Sequence, residues 1–436
     1  MGAPFFAPVV RISFKNLLSA PHALEIMALF DNAGYPIRIV GGAVRDALLG
    51  RMIHDIDMAV AASPDQIITV LKPVCAVIPT GLRHGTVTAV FKDHTTFQIT
   101  SLRFDEKTFG RHADVRFHHS FEEDAKRRDF TINALFLDRH GNLYDYVGGE
   151  KDVYNQKVRF IGDPTTRIKE DYLRILRFFR MHAFFGREID EESLLACTTE
   201  APFLKTLSRE RIRSEFFRLL EAPTFFNVLK IMNDHHLLSS LFQDTPLHLE
   251  PLEHYEHLHT QRHAFKEVGK YPFLTQQKGA STLIKLYLLA SHFALEDITS
   301  LYRLTRPEKK LYALLHKEYT PKDFLDKKVS TAPCPKELNE DLSRWAFYYG
   351  QNEAYTLFCI SLSLYPHFSL KEKKDMIELC LSILRALQPA PLPITIKDLR
   401  EAGIPPHQLS QTLKSLEETW CKRGFIGTKN DLLAVL

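Results

Sequence analysis

Asp55 and Asp57 open the apolar run DIDMAV, and few folds accept two carboxylates there. In a strand, residues i and i+2 project from one face, so both acids would point the same way. Like charges held that close repel, and they are tolerated mainly where a cation sits between them. A few residues upstream the chain reads IRIVGGAVRDALLG, a strand followed by Gly41-Gly42 and then a helix. Glycine removes Cβ and opens unusual backbone angles, which lets main-chain N–H groups approach a phosphate at a helix start. Arg45, in that helix's first turn, could add a charged contact, with Asp46 beside it. Hard oxygen ligands in a site that also meets phosphate suit Mg²⁺. Two such ions would activate an attacking hydroxyl and steady a leaving pyrophosphate. Together the two features read as a nucleotidyl-transfer site.

The rest of the chain divides into a mixed first third and a helical remainder, an α+β fold class. Helix His22–Asn32, strand Ile37–Val40, helix Ala43–Leu49, strand Asp55–Val60 and a helix over Asp65–Leu71 are expected in turn. GTVTAVF and FQITSLR, rich in Val, Ile and Thr, predict a hairpin, and NALFLD with NLYDYVGG a further pair. From about Asp163 apolar residues recur at i, i+3, i+4 and i+7 to the end, with breaks at Pro251, Pro272, Pro307, Pro333 to Pro335 and Pro389 to Pro393. The expected divisions are a catalytic head (1–160), a helical neck (161–225), a helical body (226–330) and a helical tail (331–436).

Bulk properties exclude several classes. A net charge of +3 over 436 residues is mild and announces no nucleic-acid partner by itself. Six scattered cysteines without a CxxC pair read as reduced thiols of a cytosolic protein. No apolar run approaches the roughly 18 residues of a membrane span. Residues 1–20 hold Arg11 and Lys15 and no acid, a composition that transit peptides share, but a cytoplasmic location is expected. HYEHLHTQRH (His254, His257, His259, His263) matches no standard zinc spacing. Nothing points to a protein partner.

GGAVRDALLGRMIHDID, followed in order by HGTVTAV, RRDFTINAL, YVGGEKD, RFIGDPTTRIKEDYLRILRFFR and SRERIRSEFFRLL, resembles the class II tRNA nucleotidyltransferases. These CCA-adding enzymes share a superfamily with bacterial poly(A) polymerases. The resemblance is close over residues 35–240 and looser beyond. It implies template-independent addition of CCA to tRNA 3′ ends from CTP and ATP, with two Mg²⁺ ions. A partial CC- or A-adding enzyme and a poly(A) polymerase are the alternatives. A retired tRNA-binding protein is a remote one.

The remaining motifs take physical roles within that frame. Arg127 and Arg128 are planar forks suited to phosphates. Asp129 can accept from a ribose hydroxyl, and Asn133 can orient either group; the resemblance implies that this motif selects ribose. Alternatively, Asp129, Thr131 and Asn133 cap a helix start. In EDYLR, Asp171 and Arg174 stand i and i+3 and would share one helix face. A carboxylate accepting an amino hydrogen beside a guanidinium donating to a ring nitrogen fits cytosine and adenine, and opposes guanine and uracil. The resemblance assigns Glu170, Asp171 and Arg174 as the amino-acid template for CTP and ATP, with Arg177 one turn on stacking or reaching phosphate. It also marks RFDEKTFGRHADVRF as a flexible loop, with Arg111, His112 and Asp114 as candidates. SRERIRSEFF reads as structural, with Ser208 capping and Arg211 and Glu215 at i,i+4. One departure stands out. Gln98 occupies FQITSLR where the family has a third acid, so its amide would face the metals without charge. The tail ITIKDLREAGIPPHQLSQTLKSLEETWCKRGF suggests a helix-turn-helix ahead of an amphipathic helix. Lys397, Arg400, Lys414, Lys422 and Arg423 are its candidate tRNA contacts, or else solvated faces.

Overall fold

The computed structural model describes residues 14–53, 55–81, 85–109, 112–117, 120–242, 245, 247, 249–259, 280–290, 295–319, isolated helical positions between 342 and 384, and 391–436 apart from 424. Side chains of 103–119, 257–259, 280, 295, 314 and 316–319 are outside the description. The chain forms two compact units, 1–244 and 245–436.

The first unit begins with α1 (Ala23–Asn32), β1 (Ile37–Val40), α2 (Gly42–Leu48), β2 (Asp57–Val60) and α3 (Pro64–Leu71). Local chemistry fixes the ends. Ser63 and Gln66 form a reciprocal capping box on α3, with Pro64 in its first turn. Strands β3 (Ala76–Gly81), β4 (Thr86–Val90) and β5 (Thr96–Ser101) follow, then β6 (Arg103–Phe109) and β7 (His112–Phe117). After α4 (Phe121–Lys126) and a 3₁₀ turn at Thr131–Asn133 come β8 (Leu135–Leu137), β9 (Leu143–Asp145) and α5 (Gly149–Tyr154). The seven-stranded sheet has the order β3-β4-β5-β2-β1-β8-β9. Among the described residues only β2 and β5 pair in parallel; the β4–β5 and β8–β9 hairpins form as the sequence predicts.

Alternation along β2 explains how a core can carry Asp57. Met58 and Val60 bury on one face, while Asp57 shares the other with Ala59. That second face packs Val40, Ala59 and Ala61 beneath Phe121 and Ala125 of α4. The strand starts at Asp57, so Asp55 precedes the ladder and the expected two-residue strand pair is not formed.

The segment that the resemblance marks as a loop carries two strands. β6 and β7 pair as an antiparallel hairpin, with Lys107 opposite Asp114 and Phe109 opposite His112. Arg111 lies outside the described residues.

Helices complete the first unit: α6 (Pro164–Glu170), α7 (Leu173–Phe185), α8 (Glu191–Glu200), α9 (Arg209–Leu220), α10 (Phe225–Asp234) and α11 (Leu237–Leu241). Asp163 caps α6, accepting from Thr166 N at 2.8 Å, with Pro164 at the first helical position. Within the second unit run α12 (Glu250–His259), α13 (Ala280–Leu289), α14 (Leu295–Tyr302) and α15 (Arg306–Tyr319), then α16 (Ile396–Glu401), α17 (Leu409–Lys422) and α18 (Lys429–Leu433). Leu399, Leu409, Leu416, Trp420, Phe425 and Leu432 form the core of the last three helices. His263 lies outside the described residues, and among those described no group of three or more His, Cys, Asp or Glu gathers to hold a metal. Also among them, no helix is long and apolar enough to cross a membrane.

Candidate active site

Gly41 joins β1 to α2 at φ 79°, ψ −129°, a conformation open essentially to glycine. Its N–H donates to Leu135 O at 3.1 Å, which ties the turn to β8. Arg45 does not reach outward from the turn of helix behind it. Nη1 donates to Asn133 Oδ1 at 2.6 Å, Nε and Nη2 hold the Asp46 carboxylate, and the guanidinium lies 3.7 Å from the centre of the Phe185 ring. Arg45, Asp46 and Asn133 are thus engaged with one another, so Asn133 is held by a guanidinium as the turn closes against Gly41.

Asp57 pairs in register with Val40 on β1 and Gln98 on β5. Neither Asp55 nor Asp57 takes a hydrogen bond or ion pair from any described residue. Asp57 is exposed at the start of β2, yet the surrounding protein strips part of its hydration. That loss of hydration pushes its carboxyl above the ordinary range; Arg128 opposes the shift and Asp55 adds to it.

The arginines of RRDF are fixed by a residue the sequence reading passed over. Asp124, 1% exposed, receives Arg127 Nε at 2.8 Å on Oδ1, and Arg128 Nε at 3.1 Å and Nη2 at 2.9 Å on Oδ2. Burial alone would push the Asp124 carboxyl up, but the two guanidiniums prevail and hold it below the ordinary range. The signal was present: Asp124 lies i−3 and i−4 from the two arginines on α4. Asp129 is not a helix cap. It accepts from Phe130 N at 2.9 Å and from Arg177 Nε at 2.8 Å and Nη2 at 2.5 Å. Burial favours a protonated Asp129; the Arg177 charge outweighs it and keeps the carboxyl low, while Asp129 raises Arg177 in turn.

EDYLR is not one helix. α6 ends at Glu170, Asp171 is extended at φ −158°, ψ 105°, and α7 starts at Leu173. Asp171 and Arg174 therefore do not share a continuous helix face, and each has a different partner. Arg211 Nη2 donates to Asp171 Oδ2 at 2.6 Å, and Leu173 N to Oδ1 at 3.2 Å. Arg174 Nη1 donates to Glu170 Oε2 and to Arg167 O at 2.6 Å, while its Nε and Nη2 have no partner among the described residues. Arg211 does not pair with Glu215, which takes Arg180 Nε at 2.6 Å, and Ser208 sits at the start of α9 without a side-chain cap bond. Long-range partners beat the local i,i+4 option in both cases.

In the second unit, Lys397, Arg400, Lys414, Lys422 and Arg423 all lie exposed on α16, α17 and the turn after it. Lys397 has only a loose 3.9 Å approach to Glu401, and Arg423 Nη1 donates to Asp431 O at 3.4 Å.

A mixed sheet whose central strand opens on the Asp57 carboxylate, with Asp55 just before it and neither partnered among the described residues, beside a glycine turn and clamped arginines, defines a nucleotidyltransferase class of head. Residues 37–159 match the family model of the Poly A polymerase head domain, and 186–247 match "Probable RNA and SrmB- binding site of polymerase A". The human protein named "CCA tRNA nucleotidyltransferase 1, mitochondrial" is 32% identical over 94% of this chain and 89% of its own length. A "CCA-adding enzyme" of Streptococcus gordonii is 40% identical over 46% of this chain and 50% of its own. The fold is shared with the Bacillus stearothermophilus CCA-adding enzyme in complex with CTP, at TM-score 0.67, 23% identity and coverage of 97% and 96%. It is shared also with the Thermotoga maritima enzyme complexed with tRNA, at TM-score 0.66, 19% identity and coverage of 96% and 94%. The chain belongs to the CCA tRNA nucleotidyltransferase family.

Proposed function

We propose that this chain adds C, C and A to tRNA 3′ ends from CTP and ATP, with no nucleic-acid template. The tRNA 3′ oxygen forms a bond to the α-phosphorus, and pyrophosphate leaves. One observation carries the reading: among the described residues, Asp55 and Asp57 stay unpaired in a site where the neighbouring ionic side chains are paired. The two carboxylates, with the Gln98 amide in register beside Asp57, form a hard oxygen set that fits Mg²⁺. When bound there, two such ions supply Lewis-acid stabilisation of the attacking and leaving oxygens. Arg127 and Arg128, with their orientation set by Asp124, face the triphosphate. Asp129 and Asn133 stand toward the ribose. Asp171 and the free Nε and Nη2 of Arg174 meet the pairing edge of cytosine or adenine. His112 and Asp114, on β7, and Arg111 serve the change from C to A addition.

The exposed tail cations hold the tRNA backbone, so binding should weaken with salt. The functional divisions remain head 1–160, neck 161–225, body 226–330 and tail 331–436. Cys75, Cys197, Cys359, Cys380 and Cys421 form no disulfide with one another, which supports a reducing compartment, and we place the chain in the cytoplasm. The experiment is to incubate the protein with tRNA ending at the discriminator base and CTP, ATP or both, and to size the products. Three added nucleotides with both substrates are expected. Two with both would indicate a CC-adding enzyme, and a long adenosine ladder a poly(A) polymerase.

A further inference from the structure

Arg167 lies on α6, three residues before the base-reading motif, and its side chain is nearly buried. Its two terminal nitrogens point to different parts of the site. Nη1 donates to Glu170 Oε1 at 2.7 Å and Oε2 at 2.5 Å. Nη2 donates to the main-chain carbonyls of Arg127 at 2.5 Å and Arg128 at 2.6 Å, about forty residues away in sequence. Glu170 holds Arg174, and Arg174 Nη1 returns to Arg167 O at 2.6 Å. The result is a closed chain of contacts from the backbone under the phosphate-facing arginines, through Arg167 and Glu170, to the guanidinium that meets the base.

We infer that Arg167 is a positioning residue that couples nucleobase selection to the placement of Arg127 and Arg128. This rests on the functional reading above. A structural ion pair alone would need only Glu170. The second arm of the fork reaches two consecutive carbonyls on the segment between α4 and the 3₁₀ turn, which is where the phosphate arginines sit. A planar fork does this and a point-like ammonium does not: a lysine could reach the carboxylate or the carbonyls, and not hold both in one geometry. A base that fits Arg174 therefore stabilises the position of the arginines that receive its triphosphate. A base that pushes Arg174 aside disturbs Glu170, Arg167 and that backbone together.

The test uses full-length Arg167→Lys and tRNA ending at the discriminator base, with steady-state kcat and KM for CTP and for UTP. The KM for CTP should rise about tenfold and the preference in kcat/KM for CTP over UTP should fall about tenfold, with kcat within about threefold of wild type. In a Glu170→Gln background, Arg167→Lys should lower the preference no further. Should Arg167→Lys fail to fold, Arg167→Gln is read in the same way. A preference for CTP unchanged by either substitution overturns the inference, and so does a second, independent drop in the Glu170→Gln background. Wild-type protein that transfers no nucleotide overturns the functional reading instead, so the two failures are distinguishable.

Discussion

Asp57 and Gln98 stand in register on the parallel strands β2 and β5, so an uncharged amide lies directly beside a carboxylate that has no partner among the described residues. The sequence departure at Gln98 therefore falls where a further negative charge would meet any cation held by Asp57. Gln98→Glu should leave nucleotide transfer equal or raised, and should lower the Mg²⁺ concentration for half-maximal rate. A magnesium titration of the transfer rate checks this; loss of transfer would mean that position 98 does not face the metals.

Asp57 carries a cost in the free protein. Its carboxyl is raised by burial, so the native state holds that proton more tightly than the unfolded chain. The penalty is absent below the ordinary aspartate pKa, about 3.9, and grows as pH rises through the folded value. Asp57→Asn should unfold at a temperature equal to or above wild type at neutral pH without metal, with the difference vanishing under acid conditions. Thermal unfolding across pH checks it. Stability and activity would then move in opposite directions at one residue, as expected of a binding site.

Asp124 behaves in the opposite sense. Its carboxyl is held low by Arg127 and Arg128, so its stabilisation is present above the unfolded carboxylate pKa and is lost as pH falls through the lowered folded value. Asp124→Ala leaves two guanidiniums without their buried partner and should cost about 3–5 kcal/mol. Chemical denaturation at neutral pH measures that loss, and the variant should also bind CTP more weakly.

Gly149, in YVGGEKD, packs where no side chain fits. A Cβ there would stand 2.2 Å from Thr131 O and 3.3 Å from a Leu135 methyl. Gly149→Ala should displace the 3₁₀ turn that carries Asn133, lowering the thermal midpoint by several degrees and transfer by more than tenfold, as large as other overpacking costs of about 1–3 kcal/mol. Activity and melting of the single variant check both.

Much of the head was legible because its signals are local. The β4–β5 and β8–β9 strand pairs and the Gly41 turn each follow from residues within one turn or strand. What escaped was decided by partners far away in sequence. Asp171 leaves the helix and pairs with Arg211, forty residues on, which no i,i+3 rule anticipates. Arg45 looked free for phosphate, yet Asn133 and Phe185 claim it through the fold. The segment RFDEKTFGRHADVRF is marked as a loop by the resemblance, and its polarity gives no strand signal, but a two-stranded hairpin needs only main-chain pairing.

The most direct measurement is single-nucleotide transfer by Asp57→Ala, set beside wild type on the same tRNA with CTP and magnesium. If the carboxylate on β2 grips the metal-bound triphosphate, the variant should melt normally yet add no cytidine while wild type extends the tRNA. A folded variant that extends it at the wild-type rate would contradict the account at its root.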